Sequence, residues 1–214
     1  MQVIAPFSYL FGIDLVKDDF SELKTAPCET AFHNHDLVMS DEPLETNKFR
    51  ILNTYTKSKD QIMNHFYSFI EGVYGWDIEF AIIASWIVKL EKGGQVDLHN
   101  HSNSMFSGCL YYDEYEKNAT DDSLHFVNPI AKHSSYYLYP RRSNPYTDNF
   151  SVKPQHNLLV FFPSHIEHKT QVYMSDTPRY CLAFNMIPVP SVAKLESDRS
   201  NDNEMMYGYY PRQK

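Results

Sequence analysis

Glycine, cysteine and tryptophan are all scarce in this chain, at 7, 3 and 2 of 214 residues. The three cysteines, Cys28, Cys109 and Cys181, are odd in number and widely separated, which excludes a CxxC pair or a zinc-ribbon spacing. They read as reduced thiols packed inside a cytoplasmic protein. No run of about 18 apolar residues occurs, so no membrane-spanning helix is expected. Basic residues are outnumbered: 19 Lys and Arg face 27 Asp and Glu, for a net charge of −8. That balance argues against bulk electrostatic binding to nucleic acid or to an anionic membrane. The first ten residues carry no basic segment ahead of their apolar stretch, so they do not read as a signal peptide. No internal repeat is visible.

What the chain has in quantity is aromatic residues, 16 Tyr and 14 Phe. Aromatic and β-branched side chains suit pleated, half-buried surfaces, so the composition leans towards β structure. Its length suits one domain with a sizeable core, residues 1–190, followed by a polar tail at 191–214. Residues 5–16 read as a strand and turn, and 17–48 as loop with short helical turns. Between Ser58 and Val73 the residues Ile62, Met63, Phe66, Phe69, Ile70 and Val73 form one stripe at helical spacing. Ser58 is placed to cap this helix, and Gly72 and Gly75 mark its exit.

From Glu79 the period becomes two. Phe80, Ile82, Ala84, Trp86, Val88 and Leu90 alternate with Ala81, Ile83, Ser85, Ile87 and Lys89, as in a strand buried on both faces. Further strand-like runs lie at 99–101, 106–112, 125–127, 135–139, 158–162 and 179–186, separated by turn residues such as Gly93-Gly94 and Pro163-Ser164. Many short strands with little helix among them suggest a sandwich or barrel.

The ten histidines are informative by placement. In the segment Asp97-Leu98-His99-Asn100-His101, an extended backbone puts Asp97, His99 and His101 on one face. Two imidazoles at i and i+2 can approach one metal ion from one side. A further ligand has to come from elsewhere, and the apolar run 158–162 leads through Pro163-Ser164 into His165 and His168. His168 is the preferred candidate and His165 the fallback. Neutral imidazoles suit Fe(II), Cu, Ni and Zn alike, so the ligand type does not name the metal. Against this stands the plain reading that the histidines are a polar strand end and loop residues. Arg179 opens another apolar strand, and its guanidinium fork could bind a carboxylate bidentately where water is excluded. The plain alternative is a strand-end cation paired with a local acid such as Asp176. Gly108, Leu110 and Tyr112 fall on one face of the strand that leaves the His-x-His segment, where they would suit a flexible dicarboxylate; for any one of them alone, ordinary aromatic core packing is the stronger reading.

These pieces, in this order, resemble the 2-oxoglutarate/Fe(II) oxygenase superfamily, and more narrowly the putative 2OG-Fe(II) oxygenases. The motifs are His99-Asn100-His101, Ser107 to Tyr112, Phe162-Pro163-Ser164 with His168, and Arg179 to Asn185. The resemblance extends over most of residues 5–187 and is dense from 86 to 187. It implies a mainly β chain folded as a double-stranded β-helix (jelly-roll, cupin-like) with a flanking helix. It implies Fe(II) held by His99, His101 and His168, and 2-oxoglutarate bound by Arg179 and Tyr112 with Gly108 and Leu110 along its chain. O2 would be the co-substrate, and a second substrate would be hydroxylated with release of succinate and CO2. One departure matters. The superfamily's usual third ligand is a carboxylate, where this chain has His101. Either His101 ligates in a three-His site, which is favoured, or a nearby carboxylate such as Asp97 takes its place.

Two other classes remain in view: a cupin-like three-His metalloprotein that does not use 2-oxoglutarate, and a non-enzymatic β-sandwich interaction protein. The primary substrate is open among protein side chains, small metabolites and nucleobases, the last disfavoured by the net charge. Residues 132–150, which include Arg141 and Arg142, read equally as a substrate lid or a surface insertion. A homodimer is the commonest outcome for a soluble oligomer.

Overall fold

The computed structural model describes residues 9–30, 48–114, 123–129 and 149–189. Among these lie β1 (Gly12–Leu15), β2 (Glu29–Thr30), β3 (Phe80–Leu90), β4 (Phe106–Tyr111), β5 (Leu124–Val127), β6 (Asn149–Val152), β7 (Leu158–Pro163), β8 (His168–Thr170) and β9 (Arg179–Pro188), with helices α1 (Ile51–Thr54) and α2 (Thr56–Tyr74). The strands form a six-stranded sheet in the order β1-β7-β4-β9-β3-β2 and a three-stranded sheet in the order β6-β5-β8. All pairings in both sheets are antiparallel except β2 on β3. This is the expected mainly β architecture with a flanking helix. The expected strand at 135–139, the lid or surface insertion at 132–150 up to residue 148, and the tail at 191–214 lie outside the described residues.

The large sheet has two covered faces, and β4 and β7 are buried at every position for that reason. One face packs on α2. Its residues Ser58, Ile62, Phe66 and Ile70 are buried at intervals of four, the stripe that a helix lays on a sheet. Phe66 is the centre of this layer, with ring centroids 5.0 Å from Phe80, 5.3 Å from Phe161 and 5.6 Å from Phe106. Gly75 ends the helix in the left-handed region at φ 67°, its N–H bonded to the Glu71 carbonyl, as a C-terminal glycine does. The start differs from the sequence expectation. Ser58 lies inside the first turn, and the cap is Glu22, whose Oε1 accepts from Ser58 N–H at 2.7 Å and Ser58 Oγ at 2.6 Å. A carboxylate at this end also meets the positive pole of the helix. Val73, expected in the stripe, is exposed.

The other face packs against the small sheet through Cys109, Tyr111, Val160 and Phe162 from β4 and β7, and Leu124, Phe126 and Val152 from β5 and β6. β3 serves both layers because its alternation is interrupted. Its register with β9 slips between Ile82 and Ala84. One extra residue flips everything beyond it to the opposite face. Phe80 and Ile82 therefore join the helix-side core, whereas Trp86, Val88 and Leu90 turn to the far side. The uninterrupted alternation expected from the sequence would have placed all of them together. No helix among the described residues is long and apolar enough to cross a membrane.

Candidate metal centre

Between the two sheets is a pocket lined by His99, His101, His168 and Arg179 together with residues of β3, β4 and β9. Two backbone hydrogen bonds build its histidine end. His99 and His168 face each other in an antiparallel bridge, with His99 N donating to His168 O at 3.0 Å and His168 N to His99 O at 2.9 Å. Residues so opposed send their side chains to the same face, and the ring centroids stand 4.3 Å apart. The expected strand at 99–101 is reduced to this bridge. β8, which carries His168, was too short at three residues to show any period in the sequence.

His101 follows two residues later, its N–H donating to the Ser164 carbonyl at 2.9 Å. Its ring lies 5.0 Å from that of His99 and 5.2 Å from that of His168. One ligand nitrogen from each ring falls within 4.8 Å of the others. Among the described residues no carboxylate or thiol joins this group. Asp97 is turned aside, its Oδ1 accepting from Gln95 Nε2 at 2.9 Å. His165 is exposed and packs against Tyr9, with centroids 5.2 Å apart. Of the two alternatives each time, the structure thus gathers His101 over Asp97 and His168 over His165.

The hydrogen bonds of two rings fix their tautomers. His99 Nδ1 lies 2.8 Å from the Asp97 carbonyl, and His168 Nδ1 lies 3.0 Å from the Ile166 carbonyl. A carbonyl only accepts, so both Nδ1 atoms carry the proton and both Nε2 atoms keep a lone pair. Such a second partner is what orients a metal-binding imidazole. Burial pushes His168 down to about 3, with the His99 ring adding to the effect. Burial likewise pushes His101 down to about 4 and lowers His99, against the pull of the Asp97 carbonyl. All three are therefore neutral at pH 7, the state in which imidazole binds a metal ion. The donor set fits a divalent transition metal.

Arg179 opens β9 and is 3% exposed. Its guanidinium carbon lies 5.5 Å from the Tyr111 ring centroid and 5.3 Å from that of Tyr173, within cation–π range of both. Tyr111 is held neutral well past its ordinary range, chiefly by burial. Cys109 and Cys181 meet in the same wall: their mutual hydrogen bond and burial raise Cys109, while that bond and then the Arg179 charge lower Cys181 against burial.

The expected lining by Leu110 and Tyr112 does not match the structure. Both belong to the core under α2, on the opposite face of the sheet, and their neighbours Cys109 and Tyr111 line the pocket. Alternation along β4 had separated the two sets correctly but could not say which set faced the histidines. Gly108 does border the pocket. Its lack of a side chain, however, serves Phe184, whose ring atoms lie 2.5 Å from where a Cβ would stand. Tyr111 and Tyr173 were missed as neighbours of Arg179. Parity on β4 could have found Tyr111, but nothing in the sequence singles out Tyr173.

Comparison with known proteins bears on this arrangement. The family model described as putative 2OG-Fe(II) oxygenase matches residues 84–185. No curated protein sequence is similar enough to count as a match. Among solved structures, HygX from Streptomyces hygroscopicus with nickel and 2-oxoglutarate bound is 11% identical, with 83% of this chain and 81% of that one covered at a TM-score of 0.53. The same protein with iron bound is 11% identical, with 95% and 92% covered at 0.53. At this identity the likeness concerns the fold alone, a jelly roll. An oxidoreductase of the 2OG-Fe(II) oxygenase family from Burkholderia pseudomallei is 12% identical at a TM-score of 0.43, over 60% of this chain; the chain spans 57% of that protein's length.

Proposed function

We propose that this chain, whose residues 84–185 match the family model described as putative 2OG-Fe(II) oxygenase, is an Fe(II)- and 2-oxoglutarate-dependent dioxygenase that hydroxylates a second substrate with release of succinate and CO2. The observation that carries this reading is the gathering of three neutral imidazoles, their ligand nitrogens within 4.8 Å, in one pocket with a buried arginine.

His99, His101 and His168 would hold the metal through neutral nitrogens. Iron(II), when bound there, supplies the redox chemistry that couples decarboxylation of the keto acid to oxidation of the second substrate. Arg179 binds the distal carboxylate of 2-oxoglutarate through its planar fork. The Tyr111 and Tyr173 rings hold the guanidinium in place, and burial of the site strengthens each charge contact by excluding water. Cys109 and Tyr111 take the lining role once expected of Leu110 and Tyr112. Three imidazoles add no negative charge, so a divalent metal and Arg179 leave the pocket strongly cationic. A dianion such as 2-oxoglutarate offsets that charge better than a monoanion does, which favours it over a cupin-like site without the keto acid.

Anaerobic titration of the metal-free protein with Fe(II) and then 2-oxoglutarate tests the reading, through the visible charge-transfer band of a chelated keto acid. The wild type develops the band and His168→Ala does not bind iron. Arg179→Ala binds iron but takes up 2-oxoglutarate roughly 100-fold more weakly, from the loss of about 3 kcal/mol in two charge-assisted hydrogen bonds. Iron bound without the band would identify a three-His site that does not use 2-oxoglutarate. A wild type that binds no iron would remove the metal reading.

A further inference from the structure

The main chain holds two of the three imidazoles, and the third is held differently. His99 and His168 each give their Nδ1 proton to a backbone carbonyl. At the corresponding place His101 meets a side chain, with Asn185 Nδ2 3.4 Å from its Nδ1. Asn185 sits on β9 directly across from Ser107 on β4 and is 4% exposed. Its Oδ1 accepts from Ser107 Oγ at 2.8 Å. Ser107 Oγ lies 2.8 Å from Ser164 Oγ, which in turn accepts from Ser104 Oγ at 2.8 Å. Ser164 also supplies the carbonyl that receives His101 N–H.

Buried polar side chains cost stability unless they are satisfied, and an apolar trio would fill this space more cheaply. Here Ser107, Ser164 and Asn185 are all buried, and their hydrogen bonds run to one ring nitrogen. We propose that Asn185, set by Ser107 and Ser164, is the positioning residue for His101, in place of the backbone carbonyls that position His99 and His168. This rests on the metal-site reading given above.

The chemistry of the network supports that role. With its amide nitrogen towards the ring, Asn185 donates to Nδ1 and leaves the proton on Nε2. With the amide turned over, Oδ1 accepts the Nδ1 proton and Nε2 is released as a ligand. In that state Asn185 Nδ2 donates to Ser107 Oγ, and Ser107 donates to Ser164 Oγ. Serine hydroxyls rotate freely, so the reversal keeps the number of hydrogen bonds constant. A fixed backbone carbonyl allows one tautomer only, whereas this side-chain network lets His101 adopt the ligating tautomer as the metal arrives.

Cobalt(II) titration of the metal-free protein tests the assignment, with the ligand-field spectrum of the bound ion and the melting temperature of the metal-free form recorded beside it. Asn185→Leu weakens cobalt binding about 10- to 100-fold and changes the visible spectrum. Asn185→Asp accepts the Nδ1 proton through either oxygen and stays within a few-fold of the wild type. Ser107→Ala, which leaves Asn185 in place but unanchored, loses several-fold. Wild-type affinity and spectrum in Asn185→Leu would overturn the proposal, as would an Asn185→Asp loss as large as that of Asn185→Leu. Should Asn185→Leu fail to fold, the other two variants decide: unchanged cobalt affinity in Ser107→Ala, or loss of it in a folded Asn185→Asp, overturns the assignment. A wild type that takes up no cobalt would refute the metal site itself and is distinguishable from all of these.

Discussion

Replacing Gly108 with alanine adds a single methyl to a strand buried along its whole length, and the structure says where that methyl goes. An ideal Cβ would stand 2.5 Å from both Cε2 and Cζ of Phe184, and 2.8 Å from the Val160 carbonyl oxygen. Ordinary carbon contacts begin near 3.5 Å, so the ring would have to retreat by about 1 Å. Phe184 is 0% exposed and is packed against Phe161, with centroids 6.0 Å apart. The carbonyl is worse placed to yield, because it belongs to the β4–β7 ladder. Overpacking of this kind costs roughly 1–3 kcal/mol, and the upper end applies where backbone must move. Alanine recovers about 0.4–1 kcal/mol by restricting the unfolded chain. A net loss of about 2 kcal/mol, at roughly 2–4 °C per kcal/mol for a chain of this size, lowers the melting temperature by about 4–8 °C. The assay is thermal unfolding by circular dichroism, run beside Phe184→Leu and the double variant. Relief of the ring clash makes the double variant more stable than the sum of the single losses. A Gly108→Ala protein that melts with the wild type would refute the packing argument. Additive losses in the double variant would show that Phe184 is not the obstacle.

Two further outcomes follow from the same geometry. Acid should destabilise the metal-free protein: its buried imidazoles protonate near 3 to 4 for His168 and His101, whereas in the unfolded chain they protonate near 6.5. Between those values the unfolded chain holds more protons, so stability is full above about pH 6.5 and falls as the pH drops below it. By pH 5 the loss is about 2 kcal/mol for each of these two groups. Melting curves of chelator-treated protein from pH 7 to 5 check this, and an equal slope in His168→Gln would contradict it. Glu22→Ala removes the acceptor for Ser58 N–H and Oγ. Because Ser58 is 0% exposed, the urea midpoint should fall by the equivalent of about 1–3 kcal/mol; an unchanged midpoint would mean that water caps the helix instead.

Local pattern determined much of this protein. The stripe Ile62, Phe66, Ile70 predicts a helix on a sheet, and Gly75 predicts its end, because period and backbone freedom are properties of a few adjacent residues. The run from Phe80 to Leu90 reads as a doubly covered strand for the same reason. His99, His101, His168 and Arg179 stand out in the sequence as candidates because metal and carboxylate chemistry restricts which residue types can serve, and because their order along the chain resembles a known pattern; the structure lines one pocket with all four. Tertiary structure decided what period alone leaves undetermined. Alternation sorts β4 into two faces, but only docking of the small sheet shows that Cys109 and Tyr111, not Leu110 and Tyr112, meet the pocket. The register slip near Ile83 carries no composition signal, yet it moves Trp86, Val88 and Leu90 to the other side. Glu22 finds the start of α2, and Asn185 finds His101, through contacts between residues far apart in sequence. Such contacts depend on how sheets and helix pack, which no window of neighbouring residues contains.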